Sequence, residues 1–323
     1  MTTITYREAV VRAQREALRQ DARVILMGED IGAAGGPFKT TEGLFEEFGP
    51  SRVRDTPISE NAFVGAALGM ALTGYRPVVE LMFADFMGVC FDQIVNSIAK
   101  HRFMCGGNVA VPVTIRAMGG GGVRFGAQHS QTGESWVYQF PGLKVYCPAS
   151  PADAYALLRQ AIDDPDPVIV LEHKALMSVK GEIEPDASRW PGLGPQVLRT
   201  GSDVTLVASL AMVRRTLAAA EILAGQGVEA EVIDLRVLRP LLAQPIINSV
   251  IKTGALVVIE ENHAAGGWGA EVISRTFDAA FDYIDKPPVR VTLPDWPMPY
   301  SPPLEDAALP SVERIVAAVQ SQR

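Results

Sequence analysis

The run TPISENAFVGAALGMALTGYRPVVELMFADF, Thr56 to Phe86, decides the fold. From Ala62 to Leu72 every position is apolar or small, so a helix there has no polar face and must be buried, against its own chain or another. Ser59 stands where it can cap that helix. Val78–Phe83 then reads as a buried strand, and Asp85 as the cap of a further helix running to about Phe103. Helix and strand in alternation is the repeating unit of a parallel sheet covered by helices.

The same alternation extends outward. A helix over Thr5–Gln20 places Ala9, Val10, Ala13 and Ala17 on one stripe. Val24–Met27 reads as a short buried strand, and Gly32–Pro50 as a long loop with room for one helical turn. Val109–Ile115 is a strand leading into the loop AMGGGGVRFGAQHSQTGES. Leu143–Cys147 and Val168–Leu171 are strands on either side of a helix at Ala152–Ile162. From His173 to Gly201 the pattern lapses, with Pro185, Pro191 and Pro195 in the gap. A second α/β segment follows, with strands at Val204–Ala208, Ala230–Leu235, Ala255–Glu260 and Val289–Leu293. Its helices are expected at Met212–Ala224, Pro245–Lys252, from about Ala270, and at Ser311–Gln320. The expected fold is therefore α/β in two domains, each a mostly parallel sheet flanked by helices. Residues 1–180 form the first, 181–200 a linker and 201–323 the second.

Composition narrows the function. A chain of 323 residues with 48% hydrophobic content supports a large core without disulfides or structural metal. Twenty-nine Lys and Arg against 37 Asp and Glu give a net charge of −8 with no basic run, which argues against nucleic acid as a partner. Cys90, Cys105 and Cys147 are odd in number and far apart, with neither zinc spacing nor a disulfide framework, and fit a reducing cytoplasm. No apolar stretch reaches the roughly 18–20 residues of a membrane span, and the N-terminal residues lack the plan of a signal peptide.

Several chemistries are excluded by missing motifs. There is no GxxxxGK[ST] loop, no HExxH and no GxSxG, and the run Gly119–Gly122 does not continue as GxGxxG. The four histidines are scattered. What remains is a small set of candidates. Glu60 opens an otherwise apolar helix, and is either a partner for helix-start N–H groups or a buried acid with a raised pKa. His129 lies in a glycine-rich loop after a strand, where α/β folds bind ligands, or is a loop histidine satisfied by local bonds. Phe83 and Phe86 bracket a strand end as core residues or as a stacking face. Glu29 and Asp30 end the first strand as a loop acid pair or cap. The segment QAIDDPDPV, Gln160–Val168, is a helix stop whose free carbonyls are also able to hold a cation.

Taken together, TPISENAFVGAALGMALTGYRPVVELMFADF, GAQHSQ, PGLKVYCPASPADA and QAIDDPDPVIVLEHK resemble the β subunits of the thiamine-diphosphate-dependent first components of 2-oxo acid dehydrogenase complexes. This family includes the pyruvate, branched-chain and acetoin enzymes. The second segment, with VASLAMVRRTLAAAEIL, VIDLRVLRPL and VVIEENHAAGGWGAEV, is similar to the family's transketolase-like C-terminal domain. The first segment then corresponds to its pyrimidine-binding domain. ELMFADF and VLEHK look nearest to the acetoin and pyruvate branches.

The resemblance implies residue roles. Glu60 matches the glutamate that bonds N1′ of the cofactor's aminopyrimidine and drives deprotonation of the thiazolium. Phe86 matches the aromatic that packs on the pyrimidine, with Ile58 beside Glu60 in the same motif. His129 matches the histidine that assists acyl transfer to a lipoyl group, and Glu29 an acid of the polar tunnel between two active sites. Val113, Ala161, Ile162, Asp164 and Asp166 fall on a potassium site built mostly of backbone carbonyls, Asp166 standing where relatives carry Asn. The chain contains no Asp-Gly dipeptide, so the motif that starts GDG and holds Mg²⁺ and the diphosphate belongs to an α subunit. An α₂β₂ heterotetramer is implied, inactive as β alone. It would decarboxylate a 2-oxo acid or cleave acetoin and pass the acyl unit to the lipoyl domain of a dihydrolipoyl acyltransferase core. The rival readings are half of a split transketolase-like ketol transferase, and a non-catalytic assembly subunit.

Overall fold

The computed structural model describes residues 2–184 and 192–322. Pro185 and Pro191 lie outside the described residues. In chain order the first part runs β1 (Thr2–Thr5), α1 (Tyr6–Gln20), β2 (Val24–Gly28), α2 (Leu44–Phe48), β3 (Val53–Asp55), α3 (Glu60–Leu72) and β4 (Arg76–Leu81). It continues with α4 (Ala99–Met104), β5 (Thr114–Gly119), α5 (Glu134–Val137), β6 (Lys144–Tyr146), α6 (Pro151–Asp163), β7 (Val168–His173) and β8 (Lys180–Ile183). The second part runs β9 (Gln196–Arg199), β10 (Val204–Ala208), α7 (Ala211–Ala224), β11 (Ala230–Asp234) and β12 (Val237–Arg239). It ends with α8 (Gln244–Thr253), β13 (Leu256–His263), α9 (Gly269–Ala280), β14 (Val289–Leu293), α10 (Pro302–Ala308) and α11 (Val312–Gln320).

Among the described residues two large sheets form. The first has the order β12-β6-β7-β5-β4-β2-β3 and is parallel except for β12, which runs antiparallel to β6. The second has the order β14-β13-β10-β11-β9 and is parallel except for β9. Strands β1 and β8 pair antiparallel beside them. Strands β2 and β7 are buried along their whole length, as helices on both faces of a parallel sheet require. One apolar cluster joins the halves, packing Val145, Ile169 and Leu171 together with Val207, Ile233 and Leu235.

Local rules explain most elements. Thr5 caps α1 through a capping box with Glu8, and Ser150 caps α6, which carries Pro151 in its first turn. Three expectations are corrected. Asp85 does not cap a long helix. It accepts from the Gln131 side chain at 2.9 Å, and the chain goes through a 3-10 turn (Ala84–Gly88) and a π-helical stretch (Gln93–Ile98) before α4. Gly88, a poor helix former, lies in that break. The strand expected from Val109 begins at Thr114, because Pro112 has no N–H for a central ladder. Ser59 makes no side-chain cap and donates instead to the Pro57 carbonyl at 3.1 Å. Within this chain α3 buries Phe63, Val64, Ala67 and Ala71 and leaves Ala62, Ala66 and Leu72 exposed, so burial of its remaining face would need another chain.

The first sheet is pinned by a charged centre. Arg116 of β5 is 1% exposed and clamps Glu172 of β7 with Nε and Nη2 at 2.7 and 2.8 Å. Its Nη1 reaches Glu80 of β4 at 2.5 Å. The three strands are therefore locked side by side in register by one guanidinium.

Candidate active site

The candidate catalytic residues come from the carboxyl edge of the first sheet, where parallel α/β sheets build their sites. Glu29 follows β2, Glu60 opens α3 just after β3, Phe83 and Phe86 follow β4, and His129 lies in the loop after β5.

Glu29 and Glu60 form a buried acid pair, at 8% and 6% exposure. Burial and the neighbouring Glu60 charge push the Glu29 carboxyl above the ordinary range, against the backbone N–H of Ser59, which favours the anion. Among the described residues, Glu29 Oε1 and Thr56 Oγ1 are buried without hydrogen-bond partners. Two buried polar atoms left unsatisfied beside a buried carboxylate are what a polar heterocycle would complete. Ile58, two residues from Glu60, is 86% exposed.

The second group is aromatic. The Phe83 ring meets Phe86 at 5.4 Å and the His129 imidazole at 4.6 Å, both edge-on, and Phe86 lies 5.4 Å from His129. Phe86 and His129 are half-buried, so this cluster has an outward face. The reading of Phe83 and Phe86 as plain core residues fits Phe83 alone.

The glycine run does not cradle a phosphate. Its N–H groups are taken by carboxylates of the second half: Glu261 Oε1 accepts from Gly121 at 2.5 Å, and Glu305 Oε1 from Gly122 at 2.7 Å. Glu305 and Asp306 also clamp the Arg124 guanidinium. His173, at the end of β7, has Nδ1 accepting from the Ala175 N–H, so its Nε2 carries the proton and donates to Glu261 at 2.9 Å. Gly120 packs over that ring at φ +86°, and a Cβ there would sit 2.0 Å from Nε2. Gly120→Ala is expected to destabilise the protein by about 1–3 kcal/mol or more, from overpacking plus an unfavourable backbone angle. Urea unfolding that shows no loss would refute this.

The expected potassium ligands gather elsewhere, at the amino-terminal ends of β5 and β7. Val113 O accepts from Val168 N at 3.0 Å, and Ala161 O from Thr114 Oγ1 at 3.1 Å. Arg76 Nη1 donates to Ile162 O at 2.9 Å and to Asp164 O at 3.3 Å. Lys144 holds the Asp164 carboxylate at 2.7 Å, and Asp166 pairs with Arg102. The Ile162 and Asp164 carbonyls share Arg76 as a donor, and a carbonyl with one donor keeps a second lone pair, which suits a hard cation. A guanidinium is already their neighbour.

The family comparisons agree with this geometry. The transketolase pyrimidine binding domain family matches residues 2–180, and the transketolase C-terminal domain family matches residues 195–315. The chain therefore belongs to the transketolase-like family, in the branch of β subunits of pyruvate and acetoin dehydrogenases. Among its relatives is the pyruvate dehydrogenase E1 component subunit beta of Rhizobium meliloti, 43% identical over 99% of this chain and 70% of that one. Another is the acetoin:2,6-dichlorophenolindophenol oxidoreductase subunit beta of Bacillus subtilis, 43% identical over 97% of this chain and 95% of that one. The counterpart in Cupriavidus necator is 44% identical, with the same shares covered. Among solved structures, a split-gene transketolase in an inactive β4 tetramer superposes with a TM-score of 0.79, at 27% identity, over 99% of this chain and 98% of that one.

Sequence reasoning missed Lys174, the residue after β7. It is 5% exposed, and its ammonium donates to the His129 backbone carbonyl. The quoted VLEHK motif contains it, but nothing local signals a contact 45 residues away.

Proposed function

We propose that this chain is the β subunit of a 2-oxo acid or acetoin dehydrogenase and supplies the pyrimidine half of a thiamine-diphosphate site. It acts only with an α subunit, which holds Mg²⁺ and the diphosphate, in an α₂β₂ assembly. The acyl unit passes to the lipoyl domain of an acyltransferase core. Residues 1–180 serve as the pyrimidine-binding domain and 201–323 as the C-terminal domain, with 181–200 between them. The observation that carries this reading is the buried Glu60–Glu29 acid pair on the same carboxyl edge of the first sheet as the half-open Phe86 and His129 face.

Thiamine diphosphate, when bound, supplies the carbon nucleophile that attacks the substrate carbonyl. Glu60 would hold a proton at N1′ of the pyrimidine, and its apolar helix start suits a carboxyl that must exchange that proton. Phe86 and Ile58 would bind the ring's apolar surface, and Glu29 would hold the polar network behind Glu60. When the acyl unit reaches a lipoyl group, one sulfur takes it, the S–S bond breaks and the departing sulfur needs a proton. Among the described residues neither ring nitrogen of His129 is hydrogen-bonded, so its imidazole is free to pass that proton. Potassium, held by the carbonyls of Val113, Ala161, Ile162, Asp164 and Asp166, would stiffen the far edge of the sheet. The carboxylate side chains contribute little there, being engaged by Lys144 and Arg102.

The test is turnover by the chain co-expressed with its α partner. Reduction of an artificial electron acceptor is followed with pyruvate, branched-chain 2-oxo acids and acetoin, with and without thiamine diphosphate and Mg²⁺. Cofactor-dependent turnover of one of them is the expected result and names the substrate. A well-assembled tetramer that turns over none would favour the ketol-transferase or non-catalytic alternatives.

A further inference from the structure

The loop between β5 and α5 is anchored at both ends. Glu261 and Glu305 hold Gly121, Gly122 and Arg124 at its start. Asp85 and Glu261 hold Gln131 and Thr132 at its end. His129 lies between. Among the described residues, the hydrogen bond that reaches residues 125–130 from outside the loop is the one from Lys174 Nζ to the His129 carbonyl. The same ammonium lies 5.5 Å from the Phe83 ring centroid, just after β4, and 5.6 Å from that of Phe125 in the loop itself.

A buried ammonium with one carbonyl partner and two ring faces is costly for the fold. Burial pushes Lys174 down to about 8, while Asp85, Glu261 and Glu305, the charged groups that face it from the β4–α4 segment, β13 and α10, pull it back up. None of these acids pairs directly with it among the described residues. A methionine would fill the space more cheaply. The ammonium instead reaches the one loop position that carries a candidate acid.

We propose that Lys174 is the positioning residue that sets His129 for acyl transfer to the lipoyl group, through the His129 carbonyl and the Phe83–Phe125 rings. This rests on the role given to His129 above. With Lys174 charged, the loop is held by a charge-assisted bond. Above about pH 8 the amine is neutral, the bond to the His129 carbonyl loses its charge assistance, the attraction to both rings is lost, and the hold on the loop weakens.

The experiment compares wild type, Lys174→Met and Lys174→Arg in the assembled α₂β₂ enzyme by two assays. One follows reduction of 2,6-dichlorophenolindophenol, which needs no lipoyl group. The other follows reductive acylation of a free lipoyl domain. Lys174→Met is expected to lower acylation about 10- to 100-fold, the range for losing a hydrogen bond to a charged group, and dye reduction far less. Wild-type acylation should fall above about pH 8. Lys174→Arg, which does not titrate there, should recover part of the activity and lose that alkaline limb. Equal losses in both assays, no loss in either, or an alkaline limb that persists in Lys174→Arg would overturn the proposal. Failure of the underlying reading looks different: wild-type enzyme that reduces the dye but acylates no lipoyl domain, or acylation indifferent to His129→Ala.

Discussion

Glu60→Gln in the assembled enzyme is expected to lower turnover by about 10²–10⁴-fold while leaving the heterotetramer intact. The substitution keeps the shape and hydrogen-bonding reach of the side chain but removes its exchangeable proton. Glu60 is 6% exposed and faces a second buried acid, Glu29, so no solvent carboxylate is placed to substitute for it. The loss should appear in kcat, since the role proposed for Glu60 is in activating the cofactor and not in binding substrate. Cofactor affinity, read by calorimetry, should weaken less than turnover does. A Glu60→Gln tetramer with full activity would refute the catalytic role.

The largest effect on stability is expected at Arg116. Arg116→Met leaves Glu80 and Glu172 buried with no cation between them, and removing one partner of a buried charged group costs about 3–5 kcal/mol. Burial works against the Arg116 charge, but Glu172 and then Glu80 outweigh it and hold the guanidinium firmly protonated. The loss should be greatest near neutral pH, where the stranded carboxylates resist protonation, and should shrink as the pH falls. Converting both acids to Gln in the Arg116→Met background should recover most of it. Urea unfolding checks all three; a single variant as stable as wild type would show that the clamp contributes little.

Much of this architecture was legible in the chain itself, and the reasons are local. Val24–Met27 is a short apolar run, Val204–Ala208 is apolar but for Thr205, Val289–Leu293 alternates apolar and polar residues, and α1 and α7 carry clean stripes. What stayed hidden depends on distant partners. Strands β1, β3, β8 and β12 are three or four residues long, and three or four residues show no period. Asp85 looks like a cap because Asp often caps, and only the fold brings Gln131 to it. The carboxylates on the glycine run come from Glu261 and Glu305, 140 and 183 residues further along. The site is similarly divided. Glu60, Phe86 and His129 stand out by their neighbours in sequence, whereas Lys174 emerges only when β7 is laid beside β5.

Strand β12 carries a consequence for how the protein is made. It pairs Val237 with Tyr146 and Arg239 with Val145, and the Cys147 N–H donates to the Arg236 carbonyl at 2.7 Å. On a ribosome the chain emerges from its N-terminus, so once β7 has joined β6 to the first sheet, β6 waits as an open edge while about sixty more residues are synthesised. An open edge of that kind is a template for the wrong neighbour. The two halves are thus not beads completed one after the other. The earlier one is sealed by the later, and whatever shelters β6 in the interval guards the yield of native enzyme.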